Sequence, residues 1–279
     1  MKITHDFGNE TLEFDLSKPC DISIPLNFNG PQPNAYGVDP ASSKACEYGG
    51  LVGDTRRGGS CNFEQVTLIP HCNGTHTECV GHITDERTSI GDSLRESLFA
   101  AVLISVSPEA LYGAEDTYPN QPGETDLAIT AKGISRKVEK YLSGDSGVNA
   151  LVVRTLPNDE GKKSRLYTDL VPPFFSTEAI RLVSRLGIDH LICDVPSIDR
   201  LHDGGKLSNH RIFWKVEEGS NELGPDSRTD RTITELAYIP DSAKDGIYLL
   251  NLQIAPFQSD AAPSRPLLYP VISDQYPER

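Results

Sequence analysis

Three short, largely apolar runs constrain this chain most. Ala100–Val106 reads Ala-Ala-Val-Leu-Ile-Ser-Val, Ala150–Arg154 reads Ala-Leu-Val-Val-Arg, and Leu191–Asp194 reads Leu-Ile-Cys-Asp before Pro196 stops it. Runs this short and this apolar predict buried strands. Between the last two, Thr177–Leu186 places Ile180, Leu182, Val183 and Leu186 at helical spacing, with Gly187 where a helix end favours glycine. A strand, a helix and another strand make a βαβ-like unit. Helical spacing also predicts Ser135–Leu142 and a short helix at Ser208–Trp214. Phe63–Ile69 alternates apolar and polar residues and predicts a strand. Residues 13–28 predict short strands broken by proline, and Thr232–Ile239 and Gly246–Ile254 predict two strands paired across the turn 240–245. The mixture predicts an α/β protein with several antiparallel strands.

Two stretches interrupt this pattern. Residues 29–60 are rich in Gly, Pro, Asn and Ser and predict a long loop, a lid or pocket wall. Residues 217–231 are polar and contain glycine, and predict an exposed loop. Neither a repeat nor a low-complexity tract divides the chain. Its 279 residues are compatible with one domain over 1–279 and are enough to bury a large core.

Charge excludes some functions. The net charge is -14 and the pI about 4.9, with no basic stripe beyond Lys162-Lys163 and Arg165, so a nucleic-acid partner is not expected. No apolar run approaches the roughly 20 residues that span a membrane. The N-terminus Met1-Lys2-Ile3-Thr4-His5-Asp6 carries no apolar signal segment, so the six cysteines read as reduced thiols in a cytoplasm.

The chemistry is concentrated in one segment, Pro70-His71-Cys72-Asn73-Gly74-Thr75-His76-Thr77-Glu78-Cys79-Val80-Gly81-His82. It holds three of the seven histidines of the chain. In extended backbone His76 and Glu78 point to one face, and Gly74 permits a bend that returns His71 to it. Imidazole and carboxylate together suit zinc, manganese or iron. A single histidine is more often a loop cap or a buried hydrogen-bonding group; three of them with an acid at spacing two favour metal.

The segment resembles the signature of the cyclase family that includes bacterial kynurenine formamidase, His-x-Gly-Thr-His-x-Asp-x-Pro-x-His. Gly74-Thr75-His76-x-Glu78-x-x-x-His82 follows it. The resemblance extends to Asp15-Leu16-Ser17, Leu151–Thr155, Asp194-x-Pro196-Ser197-Ile198-Asp199, Ser208-Asn209-His210 and Thr234-Glu235-Leu236. The chain departs in four places, one of them a loop between His210 and Glu235 that is longer than usual. His71 and His76 are five apart rather than four, which makes Cys72 a rival to His71 as a ligand; Glu78 replaces Asp, and Val80 replaces Pro.

The resemblance implies a swivelling β/β/α-type cyclase fold, with mixed sheets and a few helices, and a metal-dependent hydrolase active on a formamide or cyclic amide C–N bond. It implies two divalent ions, zinc foremost and manganese as an alternative. His71 and His76 would hold the first, His210 the second, and Glu78 and Glu235 would bridge them. Two adjacent cations need such bridging carboxylates and can bring water to its hydroxide near pH 7. His82 would then move the proton. N-formylkynurenine is the default substrate, which would place the chain in tryptophan catabolism, and a homodimer is the expected assembly. A lactam such as isatin, or a polyketide-like ring, is an alternative on the same site. An alternative of another class is a metal-binding protein without catalysis, which would have no use for a non-ligand histidine at the position of His82. Asp194 and Asp199 are expected to be mainly structural, and Phe28, Tyr36 and Trp214 are candidates for an aromatic wall.

Overall fold

The structure is a computed structural model that describes residues 1–8, 10–120, 123–142, 147–168 and 171–272. The three apolar runs form the middle of a nine-stranded sheet. In chain order its strands are β1 (Cys20–Asp21), β2 (His76–Glu78), β3 (Leu98–Val106), β4 (Ala150–Thr155), β5 (His190–Cys193), β6 (Thr232–Glu235), β7 (Gly246–Asn251), β8 (Ala261–Pro263) and β9 (Leu267–Pro270). Across the sheet they lie in the order β8, β2, β6, β5, β4, β3, β7, β9, β1. The four middle strands, β6 to β3, are parallel. Every strand outside them pairs antiparallel. Parallel strands are covered on both faces, which is why β3, β4 and β5 are largely apolar, whereas β6 reads Thr-Ile-Thr-Glu although it too is buried throughout.

Alternation sorts these side chains onto two cores. Val102, Ile104, Leu151, Val153 and Leu191 face one cluster, and Ala101, Leu103, Val152 and Ile192 face the other. Truncation of a fully buried member such as Ile104 to Ala would cost about 2–5 kcal/mol. Besides a single turn at Ile90–Ser93, the α-helices are α1 (Pro70–Asn73), α2 (Ala131–Val138), α3 (Thr177–Arg185) and α4 (Ser208–Trp214). Ile134 and Val138, then Ala179, Ile180 and Val183, then Phe213 and Trp214 bring α2, α3 and α4 onto the first cluster. The second cluster is closed by strands and connections, among them Ile22, Ile90, Ala237 and Ile239. The expected βαβ unit is β4, α3 and β5, with Ala150 in register with His190. Ser176 caps the start of α3 and Gly187 turns left-handed past its end, at φ 76°.

Three expectations are corrected. Thr232–Ile239 and Gly246–Ile254 are not partners: β6 pairs with β5 and β2, and β7 pairs with β3 and β9. Both edges of β6 are taken, and Leu236, at φ 53°, turns the chain off the strand before any hairpin can form. The helix read at Ser135–Leu142 begins earlier, because Thr130 accepts from the Gly133 amide and caps it there; Tyr141 and Leu142 still pack on the core. The stretch 29–60 carries short strands. Ser42–Ala45 pairs with Glu64–Thr67, the strand predicted at Phe63–Ile69, and Glu47–Tyr48 pairs with Leu51–Val52. Glu64–Thr67 is exposed along its whole length, so its alternation marks no buried face. Residues 217–231 form no helix or strand and end at Arg231, which is buried under Phe213.

Candidate metal centre

The centre is built on the β2–β6 pair. Glu235 lies directly opposite His76, and Ile233 opposite Glu78. Opposed residues of an antiparallel pair share a face, so His76, Glu78 and Glu235 project together toward the side that α4 covers. Thr77 and Thr234 project to the other side, their hydroxyl oxygens 2.8 Å apart. Thr75 secures the approach to β2: its hydroxyl donates to the Leu236 carbonyl at 2.6 Å and accepts from the Ile24 amide at 2.8 Å.

His71 arrives on α1. The expected bend at Gly74 is not used: that residue is extended, and a side chain there would meet only ordinary contacts. The helical turn itself returns the chain, and Pro70 at its first position fits because its fixed φ suits a helix start. His82 folds back on a 3₁₀ turn over Val80–His82. Gly81 matters there for room, since an added Cβ would stand 2.2 Å from the Thr88 carbonyl oxygen. His82 Nε2 thereby comes to 3.8 Å from Glu78 Oε2.

His210 lies in α4, whose start is held by a carboxylate. Asp199 accepts from the amides of Asn209 at 2.9 Å and His210 at 3.2 Å, and its Oδ2 stands 2.6 Å from His210 Nδ1. Tyr118 donates to the other Asp199 oxygen at 2.7 Å. The far nitrogen of His210 is thus aimed at Glu78 Oε1, 2.9 Å away, and lies 3.8 Å from Glu235 Oε1. Glu235 Oε1 in turn accepts from the Ile198 amide at 2.7 Å. Asp199 therefore belongs to the centre, whereas Asp194 is a structural residue, buried against Lys162 at 2.8 Å and the Thr155 amide. Trp214 packs behind His210 with ring centroids 5.4 Å apart and is fully buried; Tyr36 is 45% exposed.

The donor set suits a cation. His76 Nδ1 faces the Gly74 carbonyl oxygen at 2.9 Å and must donate to it, which leaves Nε2 its lone pair. That Nε2 is buried without a hydrogen-bond partner, as is His71 Nε2. Buried polar atoms are rarely left so, and lone pairs beside carboxylates fit a metal. His76 Nε2 is 3.6 Å from Glu235 Oε2, and His71 Nε2 is 3.4 Å from Glu78 Oε2. Burial opposes ionisation of Glu78, but His82, His210 and His71 outweigh it and hold the carboxyl well below the usual range. Burial likewise opposes charge on His210, and Glu78 with Asp199 raises its pKa nonetheless. Cys72 is different: burial, with Glu235 nearby, pushes its thiol up to about 11.

All six residues singled out in the sequence come together here: His71, His76, Glu78, His82, His210 and Glu235. Five of them fall in two groups: His76, Glu78 and Glu235 form one, and His71 and His82 form the other with Asp260, which sequence reading missed. His210 joins them through Glu78 Oε1, 2.9 Å from its Nε2. Asp260 precedes β8, where Ala261 pairs with Glu78. No spacing announces it, because an edge strand brings it from far along the chain.

Known proteins are similar over most of the length. Kynurenine formamidase of Bacillus cytotoxicus is 24% identical over 262 residues, covering 91% of this chain and 99% of that protein. An isatin hydrolase bound to the product analogue thioisatinate superposes with a TM-score of 0.60 at 14% identity, over 91% of this chain and 93% of the other. A predicted metal-dependent hydrolase from Bacillus stearothermophilus gives 0.56 at 16%, over 90% and 98%. The family model described as putative cyclase matches residues 2–200, and the chain belongs to this cyclase family.

Proposed function

We propose that this chain hydrolyses the C–N bond of a small formamide or cyclic amide at a centre of two divalent ions, with N-formylkynurenine the first substrate to try. The observation that carries the reading is the convergence of His71, His76, Glu78, His210 and Glu235, with His82 beside them, on one centre whose carboxylates are buried. When bound, the ions would supply hydroxide near neutral pH and polarise the substrate carbonyl. Zinc or manganese suits these donors. His71 is the ligand favoured over Cys72, because its buried Nε2 lies among the carboxylates, whereas the Cys72 thiol resists ionisation.

The chain's own residues divide the remaining work. Glu78 and Glu235 present two oxygens each, and the Ile198 amide fixes one oxygen of Glu235. Asp199 fixes the tautomer of His210 by accepting from Nδ1. His82, with a side chain 27% exposed, reaches Glu78 on one side and solvent on the other. That position suits a group that takes a proton from water and returns it to the leaving nitrogen. A lactam of the isatin type is the second reading, favoured by the superposition on an isatin hydrolase over most of both chains. A cytoplasmic location fits the six free cysteines, and a homodimer rests on the family resemblance. A hydrolysis screen of formamides and lactams with zinc-, manganese- and iron-loaded protein tests the reading. Turnover of neither class by any loaded form would sink it.

A further inference from the structure

Asp260 has no counterpart among the ligands that the sequence suggested, yet it is 8% exposed and lies against the centre. Its backbone is pinned, since its carbonyl accepts from the Cys79 amide at 3.0 Å. Its Oδ1 is engaged on the outside by Ser259 at 3.2 Å and Arg87 at 3.5 Å. Its Oδ2 is turned inward, 3.1 Å from His71 Nε2 and 3.4 Å from His82 Nδ1. At 3.1 Å His71 Nε2 and Asp260 Oδ2 are in contact distance, but without the geometry of a hydrogen bond. Donors bound at about 2.0–2.1 Å around one tetrahedral ion stand about 3.3–3.4 Å from each other. The separations of His71 Nε2 from Asp260 Oδ2, 3.1 Å, and from Glu78 Oε2, 3.4 Å, are of that size.

We propose that Asp260 is a metal ligand, which with His71 and the Oε2 edge of Glu78 forms a cation position on the solvent side of the centre. This rests on the metal reading above and regroups its ligands, since the family resemblance put His71 and His76 on one ion and His210 on the other. Glu78 faces His210 with Oε1 and His71 with Oε2, so it stands between two positions: an inner one with His76, His210 and Glu235, and an outer one with His71 and Asp260. His82 then receives a support as well, its Nδ1 facing the Asp260 carboxylate while Nε2 faces Glu78.

The test is metal stoichiometry and affinity, read by elemental analysis after desalting and by chelator competition with Zn²⁺ or Mn²⁺. Wild type should hold two ions. Asp260→Ala and the near-isosteric Asp260→Asn should each hold one, with the outer ion weakened by more than the roughly 10–100-fold that loss of a supporting hydrogen bond costs. Arg87→Ala, which removes only an outer contact of Oδ1, should keep both. Circular dichroism and the thermal midpoint check folding, and Asp260→Asn serves if Asp260→Ala does not fold. Two ions retained in the variants, with affinity unchanged or within that 10–100-fold, would overturn the proposal and leave Asp260 at most a positioning residue. A wild type that binds no divalent ion would defeat the metal reading itself, a separate failure.

Discussion

The inner and outer halves of the centre are built from different material. His76, Glu78, Glu235 and His210 are 0–3% exposed and stand on paired strands and a helix. His71, His82 and Asp260 have side chains 25%, 27% and 11% exposed and stand on a single helical turn, a 3₁₀ turn and the residue before an edge strand. In the inner half three of the four orientations are fixed from behind: the Gly74 carbonyl holds His76, Asp199 holds His210, and the Ile198 amide holds Glu235. In the outer half the groups hold each other, with the rings of His71 and His82 stacked 4.4 Å apart. The difference fits two duties under the proposed function: the inner half cannot move without disturbing the sheet and would set the geometry, whereas the outer half meets solvent, where protons would leave and substrate would enter.

Damage to the inner half should therefore empty the centre, and loss of His82 should only slow it. His76→Ala gives the largest expected effect. It should abolish binding of the inner ion and cut hydrolysis by more than about 10⁴-fold, beyond what one acid–base group supplies. Elemental analysis beside a turnover assay checks this; a variant that is metal-free yet active would break the comparison. His82→Ala should keep its metal and lose about 10²–10⁴-fold in kcat. If metal leaves with activity, His82 is a ligand and the two duties are not separate.

The inner half was legible in the sequence and the outer half only partly. Spacing of two put His76 and Glu78 on one face, and family signatures marked His210 and Glu235. What spacing could not supply is the register that sets Glu235 opposite His76, since it depends on β6 choosing β2 rather than β7 as a neighbour. The same limit explains the misread hairpin at 232–254: both strands are real, but a local turn signal does not reveal that β5 and β2 already occupy β6. The buried strands β3, β4 and β5 were legible because burial on both faces leaves a compositional mark. Asp260 left none, for one aspartate among many acidic residues says nothing until β8 is placed beside β2.

Histidines outside the centre sharpen the contrast. His190 is 6% exposed on β5, stacked 4.0 Å from Phe99 with Nδ1 2.9 Å from the Thr232 hydroxyl. Unlike His210 it has no carboxylate in contact, and burial pushes its pKa down to about 4, only partly opposed by Asp230. The folded state thus binds this proton less readily than the unfolded chain. Its contribution is fully present above about pH 6.5 and is lost as the pH falls toward 4. The loss is at most about 3 kcal/mol, roughly a hundredfold in the folding equilibrium. Denaturant unfolding at pH 7 and pH 4 should show a smaller acid loss in His190→Asn than in wild type; equal losses would place the acid sensitivity elsewhere.

A smaller effect is expected from Asp199→Ala. It removes the acceptor of His210 Nδ1 and two amide contacts at the start of α4, but no ligand. Metal affinity should fall about 10–100-fold, chiefly at the inner ion. Loss of both ions, or no change, would show that the inner half does not depend on support from behind.

The smallest expected effect tests the boundary between the halves. Cys72 and His71 are adjacent in α1, and the one-residue shift from the family spacing leaves either in sequence range of a ligand. Their surroundings differ. His71 Nε2 lies 3.1 Å and 3.4 Å from two carboxylate oxygens, and their negative charge raises its pKa despite burial. The same sign of charge also raises a thiol's pKa, but there burial adds to it instead of opposing it, because the charged form is the anion: burial and Glu235 both disfavour the Cys72 thiolate. A thiol must lose its proton to bind metal, so near neutral pH Cys72 stays protonated unless the ion itself displaces the proton. Cys72→Ser keeps the side-chain size and removes the soft donor. It should leave zinc stoichiometry and affinity unchanged, whereas His71→Ala should lose the outer ion. The reverse pair of results, zinc lost from Cys72→Ser and kept in His71→Ala, would move the ligand to the thiolate and draw the centre inward toward Glu235.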